Sequence, residues 1–429
     1  MSHITIVGLG PGDPGLLTRA AWELLVSLDE LVVRTNRHPT LAALPASLQI
    51  VSFDALYAAA DTFADVYTRI ADAVIELGRR PQGVVYAVPG DPAVGETTTW
   101  LIQARAAAQG LPVRVLSGVS FLEPSCLALG LDPLATDGLQ VVDAMVVAAR
   151  HAPPFDPTRP ALLAQCYSRG LASDVKLTLL HSYDAQHPVT VLQGAGTAEQ
   201  VMRQTPLYAL DRSAEFDHLT SLYLPPVSEY GSFERLQEIV AYLRAPNGCP
   251  WDREQTLQTL RKDVLEETYE LLEALDADDD GKIAEELGDT TLTLAMLAQI
   301  AAEEERFSWP QVMEAVNRKL IRRHPHVFDD TVVSGVEEVL DNWAAIKAAE
   351  GGDKAASLLA SVPKGLPALA LASKYQSRLQ RVGREVDLNT ADPLARALWQ
   401  LVAEARAADV DAETVLREFC ARVAAETDE

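Results

Sequence analysis

Short runs of β-branched and other apolar residues alternate with longer segments of helical periodicity over the first half of the chain. The runs that predict strands are His3–Val7, Leu31–Arg34, Gln49–Phe53, Val84–Val88, Pro112–Leu116, Ala161–Cys166, Val189–Gln193 and Leu219–Leu224. Such alternation is typical of a sheet covered by helices. We therefore predict an α/β domain, and the break at Pro225-Pro226 favours a boundary near residue 228.

After this boundary the pattern changes to helices. Apolar positions recur at helical spacing in two neighbouring segments, for example Leu265 with Tyr269 and Leu287 with Leu294. Gly351-Gly352 indicates a loop before a last helical segment. The predicted organisation is an α/β domain over 1–228, an all-α domain over 229–350 and a helical C-terminal segment over 351–429.

Composition and charge narrow the classes of partner. The 429 residues are 48% hydrophobic and 23% charged, as in ordinary globular proteins. Acidic residues outnumber basic ones by 61 to 36, and the resulting net charge of −25 opposes non-specific binding to nucleic acid or anionic membranes. The four cysteines lie far apart, and no apolar window is long enough to span a membrane. We therefore expect a cytoplasmic protein that binds neither nucleic acid nor membrane.

Acidic residues form two groups with helical spacing. Glu266, Glu267 and Glu270 make an E-E-x-x-E segment, and Glu286 and Asp289 make an E-x-x-D segment on the next predicted helix. Residues three apart on a helix are neighbours, so each segment places a carboxylate pair on one face. Antiparallel packing would bring the pairs together, where only protons or a cation relieve their repulsion. Oxygen ligands favour Mg²⁺ or Mn²⁺.

Each of these features also has a purely structural interpretation. A charge-rich helix often has a solvated acidic face, which is the alternative to a metal site. A third predicted helix carries Lys319 and Arg323 four apart on one face, where they can bind phosphate or complement the helix dipole. His324 and His326 flank a proline and have no third ligand, so we interpret them as structural.

Four short segments stand in a characteristic order along the second half: Asn247–Asp252, Leu265–Glu270, Glu285–Asp289 and Arg322–Phe328. They resemble the successive motifs of the MazG family of nucleoside triphosphate pyrophosphohydrolases. The resemblance covers about residues 230–350. It implies an all-α fold, usually a dimer or a dimer of dimers, that binds Mg²⁺ and hydrolyses nucleoside triphosphates to the monophosphate and pyrophosphate.

The resemblance also implies roles for individual residues. Four positions match the family's metal ligands: Glu267, Glu270, Glu286 and Asp289. Three positions are expected to contact phosphates: Lys282, Lys319 and Arg323. The predicted catalytic residues are Glu266, Glu267 and Glu270, and we expect Glu266 to orient or deprotonate the attacking water.

The C-terminal segment resembles part of a second copy of the same fold. Some family members carry such a copy, which can hold the stronger activity. Residues 397–425 resemble only its rear helices, and no E-E-x-x-E segment precedes them. We therefore interpret 351–429 as a degenerate copy with a structural role.

A glycine-rich loop follows the first predicted strand. The segment Gly10–Gly15 satisfies the G-x-G-x-x-G pattern of dinucleotide-binding folds. Pro11 and Pro14 interrupt it, however, and lack the backbone N–H groups that a pyrophosphate requires. The second strand ends at Arg34 rather than at an acidic residue for a ribose hydroxyl. These departures argue against a dinucleotide site.

Three landmarks of the first half, Val7–Thr18, Val88–Pro92 and Leu116–Ser120, instead resemble the tetrapyrrole methylase family. The resemblance spans about residues 1–225 and implies S-adenosylmethionine bound between two α/β subdomains, largely through backbone groups. Eight positions match cofactor contacts: Pro11, Gly90, Asp91, Val94, Ser120, Phe121, Gln165 and Gly196. The alternative is that these loops only turn the chain, and the sequence does not distinguish a working methylase from an inactive one.

The order of the two resemblances is similar to the fused YabN type of bacterial protein. It predicts a Mg²⁺-dependent nucleoside triphosphate pyrophosphohydrolase that forms a homodimer through its MazG-like helices. The methylase-like domain is expected to bind S-adenosylmethionine or S-adenosylhomocysteine. Two alternatives stay open: a methyltransferase whose helical half serves dimerisation or nucleotide sensing, and a non-enzymatic sensor that uses both pockets.

Overall fold

The computed structural model describes residues 2–60, 62–135, 138–213, 215–350, 358–360 and 362–428. Contacts between residues divide the chain into two compact units, Met1–Arg235 and Leu236–Glu429. All strands of the described residues lie in the first unit, and the second is helical. The predicted fold class is therefore confirmed. Within the same described residues, no helix combines the length and the apolar character that crossing a membrane requires.

The first unit begins with a parallel five-stranded sheet. Its strands are β1 (Ile4–Gly8), β2 (Glu30–Val33), β3 (Gln49–Ser52), β4 (Val84–Val88) and β5 (Val113–Leu116). They lie in the order β3-β2-β4-β1-β5, and every neighbouring pair is parallel. All five strands thus end at the same edge, where the loops of such a sheet usually form a binding site.

A second five-stranded sheet follows in the same unit. Its strands are β6 (Gln140–Asp143), β7 (Ala161–Ala164), β8 (Pro188–Gln193), β9 (Val201–Pro206) and β10 (Thr220–Leu224). Their order is β6-β7-β10-β8-β9, with only β6 and β7 parallel. The predicted pair of α/β subdomains thus corresponds to two separate sheets.

Among the described residues of the first unit, eight α-helices connect and cover these strands. They are α1 (Arg19–Leu25), α2 (Asp54–Ala59), α3 (Phe63–Gly78), α4 (Thr97–Ala108), α5 (Leu122–Leu129), α6 (Ala144–Ala148), α7 (Arg169–Leu179) and α8 (Leu210–Ser213). In α3 the apolar residues Val66, Ile70 and Val74 are four apart and form one buried face against the first sheet. Short 3₁₀ helices lie at Pro14–Leu16, Pro39–Ala43 and Leu207–Ala209.

Two of the ten strands do not correspond to a predicted run. Strand β9 lies at the edge of its sheet and is largely exposed, so its sequence lacks the apolar alternation of a half-buried strand. Strand β6 has four residues and lies at the other edge. Strands β3 and β5 are also exposed edge strands and were predicted from their β-branched runs, so an edge position alone does not explain the difference.

The second unit consists of helices, the first of which starts just before the division between the units. They are α9 (Phe233–Arg244), α10 (Pro250–Glu254), α11 (Arg261–Ala277), α12 (Asp280–Glu303), α13 (Trp309–Arg323), α14 (Pro325–Phe328), α15 (Val336–Glu350), α16 (Ala368–Arg381), α17 (Pro393–Ala407) and α18 (Ala412–Asp428). A 3₁₀ helix lies at Leu388–Thr390.

A tight turn joins α11 to α12. Asp278 adopts the left-handed conformation that ends α11, with φ of 52°. The carboxylate of Asp279 accepts hydrogen bonds from the backbone N–H groups of Gly281 and Lys282, at 3.0 and 3.1 Å, and so caps α12. The two long helices therefore pack side by side as a hairpin, as the two carboxylate segments require.

A small apolar core holds the start of this hairpin to α9. It contains Val240 from α9, Leu260 before α11, and Ala295, Met296 and Ile300 from the second half of α12. These side chains lie at the end of the hairpin away from the turn. The acidic segments therefore lie outside this core, towards the turn.

Candidate active sites

Three carboxylates converge on the α11–α12 hairpin. Each of Glu267, Glu270 and Glu286 offers an oxygen, and these oxygens all lie within 4.8 Å of one another. Glu286 is only 8% exposed, Glu267 is half-buried and Glu270 is exposed. The predicted meeting of the two acidic segments thus occurs within one chain.

Mutual repulsion makes this cluster unfavourable as three free carboxylates. Burial raises the pKa of Glu267 above its usual range, and the charges of Asp289, Glu270 and Glu286 raise it further. Burial and the charge of Glu270 act in the same direction on the pKa of Glu286. In the described residues, no arginine or lysine forms an ion pair with these carboxylates. The cluster therefore requires protons or a cation from solution.

The donor set fits a hard divalent cation. Three carboxylate oxygens at this spacing provide the ligand type that Mg²⁺ and Mn²⁺ prefer, and the exposed side of Glu270 leaves positions for water or phosphate oxygens. Asp289 lies one turn beyond Glu286 on α12, and its charge reaches Glu267. Glu266 also acts electrostatically on Glu267, although more weakly than its other neighbours.

The predicted phosphate-binding cations lie on two different helices. Lys282 is exposed in the first turn of α12, and its charge lowers the pKa of Glu286 against the larger effects of burial and the neighbouring acids. Lys319 is exposed on α13. The charge of Lys282 thus acts on the cluster, although Lys282 forms no ion pair with it among the described residues.

Arg323 forms other contacts in this structure. It makes an ion pair with Glu350 of α15, and its guanidinium lies 5.5 Å from the centre of the Trp343 ring. Arg322 also binds Glu350, at 2.6 Å. Hydrogen bonds from Arg323 and Arg322 hold the pKa of Glu350 down at about 2. The role of Arg323 in phosphate binding stays a prediction, and its observed role is to join α13 to α15.

A cleft of about 610 Å³ opens in the first unit at the carboxyl ends of the parallel strands. Five of the eight residues predicted to contact a cofactor line it: Pro11, Gly90, Val94, Phe121 and Gln165. They come from loops after β1, β4 and β7 and from the start of α5. The volume lies in the range of small-molecule and cofactor pockets.

Backbone groups pack closely at the base of this cleft. Gly10 and Gly90 exchange hydrogen bonds, N to O, at 3.2 and 2.8 Å. A Cβ atom on Gly8 or on Gly118 would lie 2.4 Å from the carbonyl oxygen of Gly90. The loops after β1, β4 and β5 therefore meet as bare backbone, with no side chain between them.

The other three predicted residues support these loops. The carboxylate of Asp91 accepts hydrogen bonds from the N–H groups of Ala93 and Gly118, at 2.7 and 2.9 Å. The buried hydroxyl of Ser120 donates to Glu123 at 2.6 Å. Gly196 lies so close to Pro124 that a Cβ atom would be 2.7 Å from its ring. These contacts fix the loops, and direct cofactor contact by the three residues stays a prediction.

Comparisons with known proteins agree with both halves of this description. The sequence model of the Tetrapyrrole (Corrin/Porphyrin) Methylases matches residues 3–211, and that of the MazG nucleotide pyrophosphohydrolase domain matches residues 255–328. The YabN protein of Bacillus subtilis (strain 168) is 41% identical over 378 residues, which cover 87% of this chain and 76% of that protein. The chain belongs to the YabN family of methylase–MazG fusions.

Two further comparisons concern the halves separately. The nucleoside triphosphate pyrophosphohydrolase of Escherichia coli (strain K12) is 42% identical over 184 residues, which cover 42% of this chain and 69% of that protein. The crystal structure of a cobalt precorrin-4 methyltransferase superposes with a TM-score of 0.39 at 15% identity, covering 52% of this chain and 95% of that one. The predicted resemblance to a fused YabN-type protein is confirmed.

The cleft of this YabN-family chain also contains side chains that sequence reasoning missed. Arg34 lines it and forms an ion pair with Glu96, which is 3% exposed. Tyr57 and Tyr67 line the same region. One signal was available, because Arg34 directly follows β2 and a residue at that position must lie at the ligand-binding edge of a parallel sheet. The tyrosines come from α2 and α3, and no motif marks them.

Proposed function

We propose that this chain is a Mg²⁺-dependent nucleoside triphosphate pyrophosphohydrolase, which converts a triphosphate and water to the monophosphate and pyrophosphate. The observation that carries the proposal is the convergence of Glu267, Glu270 and Glu286, with oxygens within 4.8 Å of one another and no cationic side chain paired to them among the described residues. The MazG match and the pyrophosphohydrolase relative support the same reaction.

The carboxylates of the hairpin have distinct tasks in this proposal. Glu267 and Glu270 from α11 and Glu286 from α12 hold the cation. We assign Asp289 as the fourth ligand because it lies one turn beyond Glu286 on α12 and its charge raises the pKa of Glu267. These carboxylates would hold Mg²⁺, which would supply Lewis-acid stabilisation of the negative charge that develops on the phosphates. Because Glu270 is exposed, the triphosphate approaches from its side of the hairpin.

The bond changes follow from the products. A water oxygen forms a new bond to the α-phosphorus, the bond from that phosphorus to the bridging oxygen breaks, and pyrophosphate leaves with the electron pair. Glu266 lies beside the metal-binding glutamates and takes the proton of the water. Lys282, in the first turn of the same helix as Glu286, contacts the leaving phosphates.

Product analysis tests this reaction directly. Purified protein with Mg²⁺ is incubated with nucleoside triphosphates, and the products are separated by ion-exchange chromatography. We expect monophosphate and pyrophosphate, and Glu267→Gln should lower kcat/KM at least about 100-fold because a charged metal ligand is lost. Glu273→Gln is the matched control, since Glu273 is an exposed glutamate on the same helix outside the cluster. Release of orthophosphate and a nucleoside diphosphate would contradict the proposed bond cleavage.

The same hairpin supports the predicted homodimer. Leu265, Tyr269, Leu287 and Leu294 are each about half exposed on α11 and α12. Apolar side chains in such numbers on neighbouring helices are typical of an interface. We propose a second copy of this chain as the partner, and light scattering should give a dimer mass that Leu265→Glu reduces to the monomer.

A second function is proposed for the first unit, the binding of S-adenosylmethionine. The supporting observation is the cleft at the carboxyl ends of the parallel strands, where backbone loops meet without intervening side chains. Pro11, Gly90, Val94, Phe121 and Gln165 would contact the cofactor. Calorimetry with S-adenosylhomocysteine tests this, and an absence of heat at millimolar ligand would contradict it.

A further inference from the structure

One end of the cleft in the first unit is walled by aromatic rings that the proposed cofactor contacts do not include. The ring centre of Phe63 lies 6.3 Å from that of Tyr57, 6.1 Å from Tyr67 and 6.0 Å from Tyr167. All four residues line the cleft. Phe63 is nearly parallel to Tyr67 and meets Tyr57 and Tyr167 edge to face, so the cluster presents apolar ring faces in more than one orientation on which a planar molecule can stack.

A polar group is fixed within this wall. The Nε–H of Arg34 donates a hydrogen bond to the Tyr57 hydroxyl oxygen at 2.9 Å, and its guanidinium lies 5.5 Å from the Tyr67 ring centre. Glu96 holds Arg34 from behind through their ion pair. Because the Tyr57 oxygen already accepts a hydrogen bond, its own hydrogen remains to be donated to a ligand.

The charged side chains that line the cleft balance one another. Arg34 and Arg37 are matched by Asp54 and Asp217, and Glu96 adds a further negative charge behind Arg34. Hydrogen bonds from Ser52 and Asn36 help to hold the Asp54 carboxylate in its charged form. A polycarboxylate in this cleft would lose its hydration without gaining an excess of positive charge.

Two histidines, His38 and His218, also line the cleft. The pKa of His38 is lowered to about 4, mainly by burial. A hydrogen bond with the Gly10 backbone raises the pKa in part, and the charge of His218 lowers it. His38 is thus neutral at pH 7 and adds no charge. Its Nδ1 is buried without a hydrogen-bond partner among the described residues. The cleft-lining residues therefore include a second polar atom without a partner, in addition to the Tyr57 hydroxyl hydrogen.

We infer that the aromatic end of the cleft is the methyl-acceptor subsite, and that it takes a planar aromatic molecule of low net charge with a hydrogen-bonding edge, rather than a polycarboxylate tetrapyrrole. The inference rests on the proposed binding of S-adenosylmethionine in the remainder of the cleft. Stacking on the ring wall supplies affinity, and the fixed Tyr57 hydroxyl selects the edge of the molecule.

The transfer that such a subsite serves is balanced without a further reactant. A nitrogen or oxygen of the acceptor attacks the methyl carbon of S-adenosylmethionine, and a new bond to that carbon forms. The carbon–sulfur bond breaks, its electron pair stays on sulfur, and S-adenosylhomocysteine results. The proton that the acceptor loses passes to water in the open cleft. Proximity and alignment of the two partners are the main requirements.

Calorimetry on the full chain saturated with S-adenosylhomocysteine tests the inference. The probes are caffeine and indole, which are neutral and planar, and uroporphyrin, which carries eight carboxylates. We expect at least one neutral probe to bind at least about tenfold more tightly than uroporphyrin. Tyr167→Leu should weaken the neutral probe about tenfold, the usual effect of losing one stacking ring.

Two variants separate the subsite from general effects on folding. Tyr208→Leu is the matched control, because Tyr208 is 40% exposed, against 37% for Tyr167, and lies outside the cleft. Tyr208→Leu should leave probe binding unchanged. Both Tyr208→Leu and Tyr167→Leu should retain the affinity for S-adenosylhomocysteine. Tyr57→Phe should weaken the neutral probe about fivefold through the lost hydroxyl.

Three results would overturn the inference. The first is tighter binding of uroporphyrin than of both neutral probes, and the second is no binding of either neutral probe at about 10 mM, the weak end of fragment affinity. The third is an equal loss of probe affinity in Tyr208→Leu and Tyr167→Leu. The neutral probes are also titrated without S-adenosylhomocysteine. If that cofactor product does not bind, the proposed cofactor site fails, whereas binding of the neutral probes still decides the aromatic subsite.

Discussion

Replacing Glu270 by glutamine should stabilise the folded chain without magnesium and make it less stable than the native chain with magnesium. Without metal, the variant removes one of three carboxylates whose oxygens lie within 4.8 Å, so repulsion falls and the folded state gains stability. With saturating Mg²⁺, the variant lacks a charged ligand, so it gains less from the ion than the native chain does. The order of the two melting temperatures should therefore invert.

The size of both effects follows from the geometry. Two unit charges at the separation of Glu267 and Glu270 repel by about 1 kcal/mol in water-like surroundings, which suits an exposed side chain. In a unit of this size, 1 kcal/mol shifts the melting temperature by about 2–4 °C. Magnesium at 100 times its dissociation constant stabilises the native chain by about 2.7 kcal/mol, which corresponds to about 5–11 °C.

Differential scanning calorimetry with EDTA and then with excess Mg²⁺ measures both quantities. Only the transition that responds to magnesium is assigned to the helical unit. Glu273→Gln removes the same charge from an exposed position of α11 outside the cluster, so it should keep the full magnesium shift. A magnesium shift in Glu270→Gln as large as in the native chain would refute the metal site, and a lower melting temperature of the variant in EDTA would refute the repulsion.

Three further outcomes are expected. Hydrogen bonds from Arg323 and its neighbouring arginine hold the pKa of Glu350 at about 2, below the ordinary 4.5, so its stabilising effect is complete above pH 4.5 and is lost as the pH falls towards 2. Glu350→Gln should therefore be less stable than the native chain in urea at pH 7, with a gap that narrows only below pH 4.5; a constant gap down to pH 3 would contradict this. Gly118→Ala should weaken the binding of S-adenosylhomocysteine at least about tenfold and lower the free energy of unfolding by about 1–3 kcal/mol, because its Cβ would lie 2.4 Å from a backbone oxygen. Gly365→Ala is the control, since its Cβ would meet no atom within 4 Å, and it should change neither quantity. Met296→Ala, at a position 4% exposed in the core of the helical unit, should cost about 2–5 kcal/mol in denaturant titrations while the remaining folded protein keeps its metal affinity.

The sequence predicted those parts of the fold that are specified by local periodicity. Strands β1, β2, β4 and β10 bury most of their residues, so their apolar runs are visible in the sequence. Strand β9 carries exposed and polar residues because it pairs on one side only. Its position depends on hydrogen bonds to β8, which are formed by backbone and leave no trace in the pattern of side chains.

The two candidate sites differ in the same respect. The carboxylate cluster was predictable because Glu267 and Glu270 lie one turn apart on a helix and the turn at Asp278 and Asp279 brings Glu286 back beside them. Only the hairpin had to be inferred from outside the motif. A site built within two consecutive helices can thus be predicted from sequence once the packing of those two helices is inferred.

The aromatic end of the cleft depends on contacts between residues far apart in sequence. Tyr57 follows β3, Phe63 starts α3, and Tyr167 follows a strand of the other sheet. No spacing rule connects these positions, and each ring alone is an ordinary apolar residue. Their common position becomes evident only when the sheet order is known.

The different construction of the two sites also implies different ways of failing. The cleft depends on close backbone packing, so a single added methyl group at Gly8 or Gly118 displaces several ligand-facing groups at once. The carboxylate cluster lies on the surface of a hairpin whose core is elsewhere, at Met296 and Ile300, so its side chains can change without loss of the fold. Substitutions of these glycines are therefore expected to couple binding to stability, whereas substitutions such as Glu267→Gln separate them. Loss of hydrolysis with an unchanged fold is consequently stronger evidence for direct participation than loss of binding in a glycine variant of the cleft.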